Sequence, residues 1–187
     1  WSISGDKKQI NNLQDLSNNL IKEIPKQFDK FDVILGEPLL INNFKLTKIL
    51  KKGLYKVISN PEFLFYKNKR NIKFHFDVMH GEGNLEKAIN LLDAENRTDF
   101  NDFVNSEVSF NPHNMFICKS KKILIDYYET VFPWLERCEK EFGFNLDGYG
   151  LKRIYGFLAE RFLSFWFKKN SKFSTLPIIF KDISELN

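Results

Sequence analysis

Phe31-Asp32-Val33-Ile34-Leu35, closed by Gly36-Glu37-Pro38, is a run of strand-forming residues that ends on turn formers. Such a run reads as a short buried strand that delivers a loop at its C-terminal end. On both sides the apolar spacing changes to that of helices. Upstream, Ile10, Leu13, Leu16, Leu20, Ile21 and Ile24 recur three or four residues apart until Pro25, and downstream Phe44 to Leu54 predicts another short helix. A buried strand among amphipathic helices needs a sheet to join, so the expectation is an α/β domain. In that class ligands sit at the C-terminal ends of strands.

The rest of the chain follows the same alternation. Ser59-Asn60-Pro61 is a turn before an aromatic, basic stretch from Phe63 to Phe76 that fits no single periodicity. His80-Gly81-Glu82-Gly83 reads as a loop, with Asn84 as the cap of a helix that buries Leu85, Ala88, Ile89 and Leu92. Val108 to Phe110 and Met115 to Cys118 are strand material around the turn Asn111-Pro112-His113. Lys121 to Phe142 is helical, with Pro133 expected to open a second segment, and Gly150 to Lys168 is the last strong helix. Leu176 to Phe180 predicts an edge strand, because Pro177 has no N–H to give a central ladder.

Composition bounds the reading further. With 187 residues, 43% hydrophobic, 28% charged and 20 Phe, the chain has the makings of one folded domain over 1–187. The richest apolar stretch, Ile154 to Phe167, is interrupted by Glu160 and Arg161, so no membrane span is expected. The start at Trp1, with no basic region or apolar run behind it, reads as the edge of a longer polypeptide. Cys118 and Cys138 lie far apart without CxxC spacing and read as reduced thiols of an intracellular, soluble protein. The net charge of +4 comes from basic residues scattered among 24 acidic ones, which gives little basis for a nucleic-acid partner. Phosphate-loop, dinucleotide, nucleophile-elbow and zinc-protease signatures are missing, and so is any Asp-x-Asp. No cofactor is predicted on these grounds, and a divalent metal has no support in the sequence.

Three places carry candidate chemistry. On the helix from Gly150, Arg153, Gly156, Phe157 and Glu160 fall at offsets of three, four and seven and share one stripe. Glycine inside a helix costs about 1 kcal/mol relative to alanine, so Gly156 calls for a reason such as room for a ligand or a neighbouring ring. The plainer reading of the stripe is that Glu160 pairs with Arg153 or Arg161. The second place is the turn Phe110 to Phe116, whose two amides, Asn111 and Asn114, and imidazole, His113, stand directly before a strand, where short polar side chains either hydrogen-bond sugar hydroxyls or hold the turn itself. The third is His80, a phosphate ligand ahead of a helix N-terminus or a base.

Asn114-Met115-Phe116-Ile117-Cys118-Lys119, Tyr127-Tyr128, Trp134-Leu135 and Arg153 followed by Gly156-Phe157-Leu158-Ala159-Glu160-Arg161-Phe162 resemble the C-terminal half of the family catalogued as domain of unknown function four-four-two-two. That family occurs in capsule and O-antigen clusters and is associated with glycosyltransferases. The strand at Phe31 and His80 before Glu82 extend the resemblance, which runs from Phe31 to Phe180. The family's first strand and its HYRRYF motif do not occur before Ile10, so the expectation is a domain without its N-terminal nucleotide-binding part. The resemblance implies a GT-A-like glycosyltransferase, helix-rich in its C-terminal half. It would move a sugar from a nucleotide-sugar donor to a surface polysaccharide acceptor, in the cytoplasm or at the inner face of the membrane, alongside other domains of a longer polypeptide. It implies Arg153 or Arg161 against phosphate, Glu160 or His80 as base, and His113 with Asn114 on sugar hydroxyls. The other class of reading is a non-catalytic carbohydrate-binding or assembly module of a larger polysaccharide-synthesis protein.

Overall fold

A computed structural model describes Gln14, residues 26–42 and residues 58–178. The helices expected over 10–24 and 44–54 lie outside these residues, save for Gln14, which is helical.

The expected strand forms as β1 (Val33–Gly36), and its Val33, Ile34 and Leu35 are buried. It is the middle strand of a three-stranded sheet, antiparallel to β4 (Phe116–Cys118) and parallel to β5 (Phe173–Leu176). A second, two-stranded ladder pairs β2 (Leu39–Leu40) with β3 (Ser109–Phe110). The two strands expected around the Asn111 turn therefore exist but belong to different sheets, and the turn spans the gap between them. The edge strand expected over Leu176 to Phe180 is corrected: β5 lies earlier in the chain and ends at Leu176, before Pro177, while 179–180 lie outside the described residues. The missing N–H terminates the strand from outside it.

The stretch from Phe63 to Phe76 that resisted assignment is a one-turn helix α1 (Glu62–Phe65), a 3-10 turn at Lys67–Lys69, and most of α2 (Ile72–His80). Asn71 caps α2 by accepting from the N–H of Phe74 at 2.9 Å. α2 runs through His80, so that residue belongs to a helix end rather than to a loop. Asn84 does not cap the next helix, α3 (Asn84–Asn90): Gly83, left-handed at φ 75°, takes the cap position. The Asn84 side chain turns back to donate to His80 O. Leu85, Ala88, Ile89 and Leu92 are buried as the spacing requires.

After α4 (Ala94–Ser106), the long helix α5 (Lys121–Phe142) runs unbroken through Pro133, against the expected second segment. Proline inside a helix costs about 3 kcal/mol. Here Tyr127, Val131, Trp134 and Cys138 are buried at spacings of four, three and four, each worth roughly 2 kcal/mol, so one lost hydrogen bond on the exposed face does not divide the helix. Ser120 caps its start on the N–H of Ile123, and Gly143, at φ 66°, closes its end.

The last helix differs most from expectation. A single turn, α6 (Tyr149–Lys152), is separated from α7 (Ile154–Asn170) by Arg153 at φ −112°, ψ 19°. Gly150 seats α6 on α2: a Cβ there would stand 2.3 Å from Met79 O. From Arg161 to Phe167 every residue of α7 is buried, which is the mark of a helix covered on all sides. Phe162 packs on Trp134 (4.9 Å between centroids) and Phe100 (5.4 Å), joining α7 to α5 and α4. The architecture is mixed α/β and rich in helix. Both cysteines are free thiols, Cys138 fully inside. No helix among the described residues is long and apolar enough to cross a membrane.

Candidate functional site

Asn111 joins the end of β1 to α7. Its backbone N–H donates to Ser164 Oγ at 2.6 Å, and its side-chain Nδ2 donates to Gly36 O at 2.6 Å. The turn that follows therefore lies at the C-terminal end of the central strand, where the α/β rule places ligands. Asn111 Oδ1 is buried with no hydrogen-bond partner among the described residues.

Past Pro112, two residues of the turn are strained. His113 (φ 72°) and Asn114 (φ 51°) both adopt the left-handed conformation, which costs side-chain-bearing residues about 1 kcal/mol or more apiece and is tolerated best by Asn and Asp. α7 holds them there. Glu160 Oε1 accepts from the His113 N–H at 3.0 Å, and Asn114 Nδ2 donates to Gly156 O at 3.1 Å. Strain of this kind persists only where the surroundings over-determine it, and it gathers at functional sites.

Beneath the turn lies Arg161, only 1% exposed. Its guanidinium covers the Phe110 ring at 4.1 Å, donates to Glu160 Oε2 at 2.8 Å and to Phe157 O at 3.1 Å, and meets His75 Nδ1 at 3.3 Å. Burial pulls its pKa down to about 10 against the opposing pull of the Glu160 carboxylate, so it stays charged at neutral pH. The expectation that Arg161 meets a phosphate is thus corrected, because the side chain is sealed under the turn it supports. The plainer expectation, a Glu160–Arg161 ion pair, is what the structure contains. His75 is held well below the usual imidazole range, by burial first and then by Arg161 and His80.

His80 is also buried. Its ring stacks on Phe157 (4.1 Å, 26°) and packs on Phe76, with Nδ1 3.2 Å from Gly150 O. It does not stand at the start of α3, where the Gly83 N–H donates to Asp77 Oδ1 instead.

Arg153, in contrast, is exposed. Its guanidinium lies 5.2 Å from the Tyr149 ring centroid and 5.6 Å from that of Phe157, and donates to the Tyr149 hydroxyl. Phe157 therefore separates a surface cation, Arg153, from a buried one, Arg161, whose guanidinium is 5.7 Å from the same ring. Gly156 lies on the same exposed face, and a Cβ added there would meet nothing within 4 Å. Gly156 thus forms an open ledge, with Asn114 of the turn bonded to its carbonyl and the exposed Arg153 three residues before it. Among the described residues no three His, Cys, Asp or Glu side chains gather as metal ligands would.

All seven residues singled out in the sequence fall around the first turns of α7, in two layers: Arg153, Gly156, His113 and Asn114 outside, Arg161 and His80 inside, and Glu160 between. The sequence did not single out His75, Ser164 or Tyr149, whereas Asn111, read as one of the two amides of the turn, does hold it. Ser164 follows Glu160 by four residues, so the stripe that found Glu160 extends to it, whereas His75 comes from a segment with no readable period.

No curated protein and no solved structure matches the chain. A family model does match, over residues 29–171, and by that match the chain belongs to the family described as a domain of unknown function (DUF4422).

Proposed function

We propose that the chain is a glycosyltransferase of GT-A-like architecture that moves a sugar from a nucleotide-sugar donor to a surface polysaccharide such as a capsule or O-antigen chain. The observation that carries the reading is the strained His113-Asn114 turn, clamped by Glu160 at the C-terminal end of β1 and bonded to Gly156, with the exposed Arg153 three residues before that glycine. Sugar transfer asks for those parts. The acceptor oxygen bonds to the anomeric carbon, the bond from that carbon to the diphosphate oxygen breaks, and the diphosphate leaves with the electron pair. Arg153 is the cation available to stabilise that charge. The acceptor proton goes to a base at the turn, where His113 and Glu160 stand. Asn114 and His113 hydrogen-bond sugar hydroxyls, and the Phe157 and Tyr149 rings offer apolar faces to the sugar.

One observation favours the second reading, a carbohydrate-binding or assembly module. Both Glu160 oxygens are already engaged, one by Arg161 and one by the His113 N–H. An assay of nucleoside-diphosphate release, with donor and acceptor glycan both present, separates the two. Acceptor-dependent release that falls at least tenfold in Arg153→Ala, with the circular dichroism unchanged, supports transfer; glycan binding without release supports the module.

A further inference from the structure

We propose that the segment around α1 is a docking surface for a bilayer that carries anionic lipids. The starting observation is a charge asymmetry. Residues 38–76 contain nine Lys or Arg against one acidic residue, Glu62, a net of +8. The remainder of the chain, with 19 basic and 23 acidic residues, is net −4, so the overall +4 conceals a strongly basic block.

Five of those bases fall at 43–57, outside the described residues, and the described part of the block, residues 58–76, carries large apolar side chains on its surface. Phe65 is 78% exposed, Ile58 71% and Tyr66 57%, next to the exposed Lys67 and Lys69. These rings are held out rather than left loose. Arg70, 4% exposed, donates to Phe63 O at 2.6 Å, Leu64 O at 2.8 Å and Asn42 O at 3.3 Å. That clamps the carbonyls of α1, while Phe63 anchors the turn from below on Phe74, 4.2 Å between centroids. A guanidinium clamp fixes the turn in the conformation that presents Phe65 and Tyr66 to the outside. Glu62, the one acidic residue of residues 38–76, is countered by Lys69 at 3.5 Å.

Lipid headgroups fit this surface by charge and by polarity. Lysines beside an anionic bilayer gain from its negative surface potential, an amphipathic tyrosine suits the headgroup level, and a phenylalanine and an isoleucine reach the acyl boundary. A single-stranded nucleic acid would share the lysines, but it has no use for an exposed isoleucine, whose side chain offers no face for a base. The surface is built on α1 and the ledge on α7, and the inference does not depend on the proposed reaction.

The test is flotation of the whole chain with vesicles of phosphatidylcholine, and with vesicles in which roughly one-third of the lipid is phosphatidylglycerol. The expected result is flotation with the anionic vesicles, weakened by added salt, and little with the neutral ones. Binding should weaken at least tenfold in Phe65→Ser/Tyr66→Ser. In Lys67→Ala/Lys69→Ala, exposed changes that leave the core intact, it should weaken about fivefold per lysine. Failure to float with either vesicle, flotation unaltered in both variants, or binding of a single-stranded RNA oligonucleotide in place of vesicles would overturn the proposal.

Discussion

Replacing Glu160 with alanine removes the carboxylate that both neutralises Arg161 and accepts from the His113 N–H. The cost follows from what is left behind. Arg161, 1% exposed, keeps Phe157 O, the His75 ring and the face of Phe110 but loses the Glu160 carboxylate 2.8 Å away. Breaking one side of a buried pair costs roughly 3–5 kcal/mol, and the slight exposure of Glu160 admits some water, so about 3 kcal/mol is expected for Glu160→Ala. Out of a total stability of roughly 5–15 kcal/mol that is a large loss. The decisive comparison is the double variant Glu160→Ala/Arg161→Met. Removing the stranded charge should recover roughly 1–2 kcal/mol, so that the double variant is more stable than Glu160→Ala alone. Urea unfolding followed by the fluorescence of the buried Trp134 and Trp166 reads both values. A cost under about 1 kcal/mol for Glu160→Ala, the size expected of a surface pair, would refute the brace, and so would a double variant less stable than either single one.

Three further outcomes follow from the geometry. His75 is neutral when folded and titrates well below its unfolded value of 6.5. Below that pH the unfolded chain takes up a proton that the folded chain refuses, so this contribution is complete above pH 6.5 and is lost as pH falls, at up to about 1.4 kcal/mol per pH unit. His75→Asn, which can still accept from Arg161, should flatten that slope in urea titrations run at successive pH values. Gly156→Ala should raise stability by roughly 0.5 kcal/mol, because its Cβ enters open space in a helix, whereas Gly150→Ala should lower it by about 1–3 kcal/mol through the clash with Met79 O. Thermal unfolding of the two variants measures the opposite signs. Burial pushes the Cys138 thiol up to about 12, so a thiol reagent at mildly alkaline pH should leave it unmodified in the folded chain and react with it only in denaturant.

Elements with a single period were legible from the sequence: β1, the buried face of α3, the helical span of α5 and the Gly156–Glu160 part of the stripe on α7 fall where spacing put them, while Arg153 lies at a break before α7. What the sequence concealed depends on contacts between distant segments. Nothing local at Arg153 announces a helix break, and the close seat of Gly150 against a helix seventy residues earlier is equally invisible to local spacing. Pro133 read as a breaker because the rule is local, and four buried side chains on the far face outweigh it. The site divides in the same way. Spacing placed Arg153, Gly156 and Glu160 on one stripe, but it gave no sign that Arg161 would be sealed under Phe110 or that His80 would stack inside on Phe157. Charge type alone says nothing about which arginine faces water. The left-handed pair His113-Asn114 left no mark beyond an Asn that tolerates the conformation, because its strain is held by Glu160 from another element.

The claim that the ledge at Gly156 receives an activated sugar is tested most directly by ligand-detected NMR of the chain against a panel of nucleotide sugars, with and without Mn²⁺. The account predicts a signal specific to one donor that is lost in Arg153→Ala and weakened in Asn114→Ala, both exposed changes that leave the core in place. Silence across the panel from the folded chain, or a donor signal indifferent to both substitutions, would contradict it.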